Sequence, residues 1–143
     1  MKQTFLTVLI SLVTVTGFAQ VHWSPNADSV LNCDLFKSGE FMNMQTAESP
    51  MSGYLLIREG DFITEIINDG QYLLKSKIEF TSPCSYTSTV VEVTIPNYAM
   101  GVGTVIHTEI IATNTVMRIL EIKSTYKGED FIFVLKRVEG KTK

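Results

Sequence analysis

The clearest periodic signal in the chain lies between Gln71 and Phe80. Tyr72, Leu74, Ser76, Ile78 and Phe80 share one side of a period-2 pattern, and Lys75, Lys77 and Glu79 the other. That alternation predicts a half-buried β-strand. Weaker versions of it recur between turn signals spaced 8–15 residues apart. They predict strands at Asp34–Asn43, Tyr54–Arg58, Phe62–Ile67, Gln71–Phe80, Cys84–Ile95, Thr104–Ala112, Thr115–Ser124 and Phe131–Val138. Asp69-Gly70 is the strongest hairpin signal, because glycine accepts the positive φ that a two-residue turn needs. Glu59-Gly60, Ser82-Pro83, Pro96-Asn97, Thr113-Asn114 and Lys127-Gly128 mark further turns. No sustained helical period follows Leu31.

Eight strands on short connections imply an antiparallel meander, since parallel pairing needs long crossovers. A sheet of that length in a small domain removes its edges by closing on itself. The expected fold class is therefore all-β. It is an up-and-down meander forming a small lipocalin-like barrel, with a two-sheet sandwich as the alternative. In front of it, Ser24-Pro25 has the form of a helix start, and Ala27 to Leu31 extends it. Residues 20–32 are read as a short helix or an ordered arm, 33–139 as the barrel domain, and 140–143 as a basic tail.

The first nineteen residues change the picture of location. Lys2 precedes a mostly apolar run from Phe5 to Phe18, and Gly17-Phe18-Ala19 places small residues at the −3 and −1 positions of a cleavage site. This is the layout of a secretory signal peptide over residues 1–19. The run is too short and too interrupted by Ser and Thr for a membrane span. No span is expected in the mature protein, which is placed in the periplasm or outside the cell. Removing Lys2 with the leader leaves 11 basic residues against 15 acidic, a net −4. A chain with no basic excess is a poor partner for nucleic acid. The two cysteines, Cys33 and Cys84, read as one disulfide in an exported protein. It would close a loop of about 52 residues, worth on the order of 4 kcal/mol.

Several of these residues also form a recognisable combination. Cys33-x-x-Phe36-Lys37-x-Gly39-x-Phe41 opens it, the Ile57-Arg58 strand follows, and Lys77-Ile78-Glu79-Phe80 leads into Cys84-x-Tyr86. The combination resembles a group of small secreted proteins of Bacteroidetes-type bacteria with no established function, and it spans most of the mature chain. Where that group often has a Trp-x-x-Asp-Cys-Glu-Tyr strand end, this chain has Phe80-Thr81-Ser82-Pro83-Cys84-Ser85-Tyr86. Both acidic residues are missing, so no shared ionic site carries over. The resemblance implies an exported, single-disulfide β-domain and supplies no reaction.

Candidate chemistry is sparse. His107 and Glu109 share a strand face with Val105 and Ile111, the one arrangement with the form of a general acid/base pair. A surface polar pair is the stronger reading. The other histidine, His22, lies in the arm, and neither Cys/His spacing nor a third ligand suggests a metal. Gly101-Val102-Gly103 has no following helix to make a phosphate cradle. No catalytic motif is present, so no enzyme activity and no cofactor is expected. Glu92 is expected on the solvent side of a strand whose core face is Val91, Val93 and Ile95. Met42, Met44, Met51 and Met100 fall near loops, as rim packing or the lining of a soft mouth.

Three arginines are more informative. Arg58 alternates with Tyr54 and Leu56, Arg118 with Val116, Leu120 and Ile122, and Arg137 with Phe131, Phe133 and Leu135. An arginine on an inner face must be paired or must receive an anion. Arg58, Arg118 and Arg137, with Tyr72 and Tyr86 as hydroxyl partners, are therefore the candidate ligand-binding residues. At strand ends the same arginines would instead reach solvent. The expected partner is a small apolar or anionic ligand, or failing that another protein of the cell envelope.

Overall fold

The computed structural model describes residues 26–46 and 48–139. The proposed signal peptide, the Ser24-Pro25 helix start, His22 and the basic tail lie outside them. Eight strands follow in order: β1 (Gly39–Asn43), β2 (Leu55–Glu59), β3 (Phe62–Ile67), β4 (Tyr72–Ser82), β5 (Ser85–Val93), β6 (Val105–Asn114), β7 (Ile119–Tyr126) and β8 (Glu129–Val138). Each pairs antiparallel with the next, and β8 pairs back onto β1, from Glu40 opposite Val138 to Asn43 opposite Leu135. The result is a closed up-and-down barrel.

The inner face follows the alternation. Phe41, Leu56, Ile63, Leu74, Ile78, Tyr86, Val90, Ile110, Leu120, Ile122 and Leu135 are buried within the ring. A smaller cluster of Met42, Met44, Ile119 and Val134 packs on the outside of the β1–β8 seam. Met42 and Met44 are thus outer packing, while Met51 is exposed.

Local structure departs from the pattern at three places. The segment expected to start β1 at Asp34 is a 3-10 turn, Cys33–Phe36, and β1 begins only at Gly39. Lys37 pairs with Asp34 one turn back, at 2.8 Å. The turn drops Phe36 onto the end of the barrel, completely buried. In β5 a bulge opposite Lys75/Ser76 inserts an extra residue, so Lys75 faces Glu92 while Ser76 faces Val90. The bulge reverses the face: Val90 is buried and Val91 is 41% exposed. Glu92 remains exposed. Finally, β6 continues through Thr113-Asn114, which is not a turn, and the true turn is Thr115–Arg118. It is held by Asn114 Oδ1 accepting from the Met117 amide at 2.9 Å. Arg118 closes it with φ +56°.

The segment between residue 26 and the 3-10 turn is an ordered arm, without helix. Its Asp28 carboxylate accepts from the Thr113 hydroxyl (2.7 Å), the Thr115 hydroxyl (2.8 Å) and the Thr115 amide (3.0 Å). The Asp28 and Asn32 amides donate back to Thr113, at 2.8 and 3.0 Å. These hydrogen bonds, the Thr113 hydroxyl foremost, hold the Asp28 carboxyl below the usual Asp range. A lowered folded pKa stabilises above the unfolded value of about 3.9, and the contribution is lost as pH falls through the folded pKa. The arm is therefore expected to detach only in strong acid. Asp28→Asn should detach it at neutral pH, seen as faster hydrogen exchange at the Asp28-site and Asn32 amides. Unchanged exchange there would show that the carboxylate does not fasten the arm.

Candidate functional site

The two ends of the barrel differ. One carries the β2–β3, β4–β5 and β6–β7 turns, and the 3-10 turn closes it. The Cys33–Cys84 disulfide ties that turn to the start of β5, with Cα atoms 5.3 Å apart. Phe36 stacks on Tyr86 with ring centroids 5.4 Å apart, and meets Phe41 at 5.3 Å. Among the described residues no helix covers the opposite end, where the β1–β2, β3–β4, β5–β6 and β7–β8 connections lie.

Side-chain size argues for space inside. The inner face of an eight-stranded barrel is just wide enough for side chains to fill it. Here four neighbouring strands contribute small hydroxyl residues to that face: Ser76 on β4, Ser88 on β5, Thr108 on β6 and Ser124 on β7. Thr108 and Ser124 bond each other across the strands at 3.0 Å. The opposite wall is larger, with Phe41, Leu56, Arg58 and Glu65.

Glu65 is the unexpected member of that wall. Period 2 places it between Ile63 and Ile67, and the register sets it between Leu56 on β2 and Leu74 on β4. Oε1 accepts from the Tyr54 hydroxyl at 2.5 Å. Burial raises its carboxyl above the ordinary Glu range, against the opposing pull of the Tyr54 hydrogen bond. It nonetheless keeps partial contact with solvent, as does Tyr54. The carboxyl is thus desolvated by its surroundings although the residue as a whole is only partly buried. The Tyr54 phenol is pushed well up by burial and by the Glu65 charge. Tyr98, in the β5–β6 connection at the end opposite the disulfide, is raised first by burial and then by that same charge.

The five residues singled out from sequence do not form one site. Arg58, Tyr86 and Arg137 gather at the closed end. Arg58 is buried, and its Nη1 donates to the Gly60 carbonyl and, at 3.4 Å, to the Phe62 carbonyl. Its guanidinium lies 5.7 Å from the centre of the Phe80 ring, and Nε has no hydrogen-bond partner among the described residues. Burial lowers its pKa. Arg137 lies against Gly39, where an added Cβ would come within 2.8 Å of Nε. Gly39 also has φ +127°, so this position takes glycine on two counts. Tyr86 is buried, and burial raises its phenol. Tyr72 sits at the opposite rim and accepts from Gln71 Nε2 at 3.1 Å. Arg118 must be removed from the group. It lies in the β6–β7 turn and pairs with Glu139 in the open at 2.9 Å, because β7 starts one residue after it.

His107 and Glu109 do share a strand face, but it is the outer one. Glu109 pairs with Lys123 across the sheet at 2.9 Å. That partner, more than His107, lowers its carboxyl. Comparison of the chain with family models, with curated proteins and with solved structures returns no match.

Proposed function

We propose that this protein is an exported binding barrel that takes one small, largely apolar molecule into its interior through the end opposite the disulfide. The observation that carries the reading is Glu65: a carboxyl on an inner wall, held by Tyr54, enclosed by leucines and still in contact with solvent. A barrel that served only as a packed scaffold gains nothing from such a group, because burying it costs free energy unless it is fully satisfied. The row of Ser76, Ser88, Thr108 and Ser124 supports the same reading, since small residues leave the volume a ligand would fill. Export is supported by the disulfide, which persists in oxidising compartments. Among the described residues no helix is long and apolar enough to cross a membrane.

Native mass spectrometry of the protein purified gently from an exporting host tests the proposal. The expected result is a reproducible extra mass that is lost on denaturation. A bare protein, still bare after incubation with lipid and metabolite extracts, would overturn it.

One observation favours a second reading, an envelope interaction module. Phe131, Ile132 and Phe133 are each 38–45% exposed. They lie in the first half of β8, which pairs with β7 but extends past β1. An unpaired edge of this kind accepts a strand from a partner. The β5 surface suggested by its Thr and Val content is less suited, because β5 is paired on both sides.

A further inference from the structure

We infer that the molecule bound in the barrel carries a protonated amine, and that Glu65 is its counter-ion. The inference rests on the binding-barrel reading above and adds the ligand's chemical class.

The argument starts from what Glu65 lacks. Oε1 has the Tyr54 hydroxyl, but Oε2 has no hydrogen-bond partner among the described residues. Its neighbours across the sheet, Leu56 and Leu74, are apolar. The titratable groups that feel its charge are three phenols: Tyr54, Tyr86 and Tyr98. No cation among the described residues contributes to its ionisation. The nearest candidate on that wall, Arg58, is one inward position further down, and its Nη1 is turned to the carbonyls of Gly60 and Phe62. A buried carboxyl left without a cation stays neutral, or ionises when a cation arrives.

An ammonium group fits what is there. Oε2 offers an acceptor for a charge-assisted hydrogen bond. Tyr54 already holds the carboxyl in place, so little freedom is lost when a ligand binds. Aromatic rings attract an ammonium through their faces, and Tyr54 and Tyr98 stand beside the carboxylate while Phe131 and Phe133 line the barrel wall towards the same end. An anionic headgroup meets the opposite situation, because it would have to pass or face Glu65. The proton balance is explicit. In the free protein, at pH below its raised pKa, Glu65 holds a proton on its carboxyl. The ligand arrives as R–NH3+, the carboxyl proton leaves to solvent, and an ion pair remains. Binding therefore releases up to one proton and strengthens as pH rises through the raised pKa of the free carboxyl.

Three probes of one shape separate the possibilities: 2-phenylethylamine, 2-phenylethanol and 3-phenylpropionate. Their binding to the mature protein is measured by calorimetry over a pH series that starts below the ordinary Glu range, in two buffers of different ionisation enthalpy at each pH. The amine is expected to bind about tenfold or more tightly than the alcohol, the scale of one charge-assisted hydrogen bond. Its heat should depend on the buffer as proton release requires. Glu65→Gln, nearly isosteric and folded by circular dichroism, should erase both the preference for the amine over the alcohol and the proton release. If the alcohol or the carboxylate binds as tightly as the amine, or Glu65→Gln leaves the preference intact, the amine inference is overturned and the binding barrel stands. If none of the three binds, both are overturned.

Discussion

Replacing Phe36 by alanine is expected to cost about 3–5 kcal/mol of stability, read as a lower midpoint in urea at an unchanged slope. The side chain is completely buried, and it is the cap of the closed end rather than one more wall residue. It lies between Phe41 of β1 and Tyr86 of β5, which belong to opposite parts of the ring. The 3-10 turn that carries it is tied to β5 by the disulfide, which restrains the turn from moving to fill the space. A site that cannot collapse keeps its cavity, which puts the loss towards the upper part of the range. Removing the stacked ring also frees one face of Tyr86 and opens the barrel floor to water. Hydrogen exchange should then rise at the start of β5, at Tyr86 and its neighbours. A loss under about 1 kcal/mol would show that the turn packs loosely and that the floor is held by the strands alone.

The strands were legible wherever one face met solvent and the other the core. β3 is found at its expected limits, and β4 buries Leu74, Ser76 and Ile78 of the expected inward set, with Tyr72 half-buried and Phe80 exposed at its ends. What defeated the pattern was local. The bulge in β5 changes the face halfway along a strand, and a run such as Val90-Val91 contains nothing to say which valine turns in. Arg118 was misplaced for a similar reason. Thr115 and Val116 have strand propensity, but the Asn114 side chain captures the Met117 amide and makes a turn of them. The 3-10 turn was hidden because Asp34 to Phe36 precedes a good strand, and only the disulfide and Phe36 burial distinguish it.

The site was legible in part. Arg58, Tyr86 and Arg137 do lie on the inward face, but at the closed end, and Tyr72 lies at the other rim. Glu65 was the missed residue. Its signal was present, since Ile63, Glu65 and Ile67 alternate as Leu56 and Arg58 do, and a carboxylate on such a face calls for the same explanation as an arginine. What the pattern does not contain is the Tyr54 hydroxyl. That residue is eleven positions away and meets Glu65 only because β2 and β3 form a tight hairpin. Likewise the exposure of Phe131 and Phe133 reflects the short reach of β1, a property of its neighbour rather than of β8.

Removing the disulfide by the double substitution Cys33→Ala and Cys84→Ala is expected to cost about 4 kcal/mol. The bond joins residues 51 apart in sequence, so in the unfolded chain it closes a long loop containing β1 to β4. Cutting it returns that loop's entropy to the unfolded state, and the chain-entropy relation gives the figure above. A second effect acts on the folded state. Cys33 begins the turn that seats Phe36, so without the bond the turn is fastened only by the arm at Thr113 and by packing. The two losses are therefore coupled. With the disulfide absent, the Phe36→Ala penalty should shrink, because a turn free to shift lets the site collapse. The combined variant should then lose less than the sum of the separate effects. Urea unfolding of the four proteins, with intact, disulfide-free, Phe36→Ala and combined sequences, measures that coupling directly. Strict additivity would mean that the disulfide acts only on the unfolded chain and the cap is built by the barrel itself. A coupling of about 1 kcal/mol or more would make the bond part of the cap, and would explain why both cysteines sit at the end that the 3-10 turn closes.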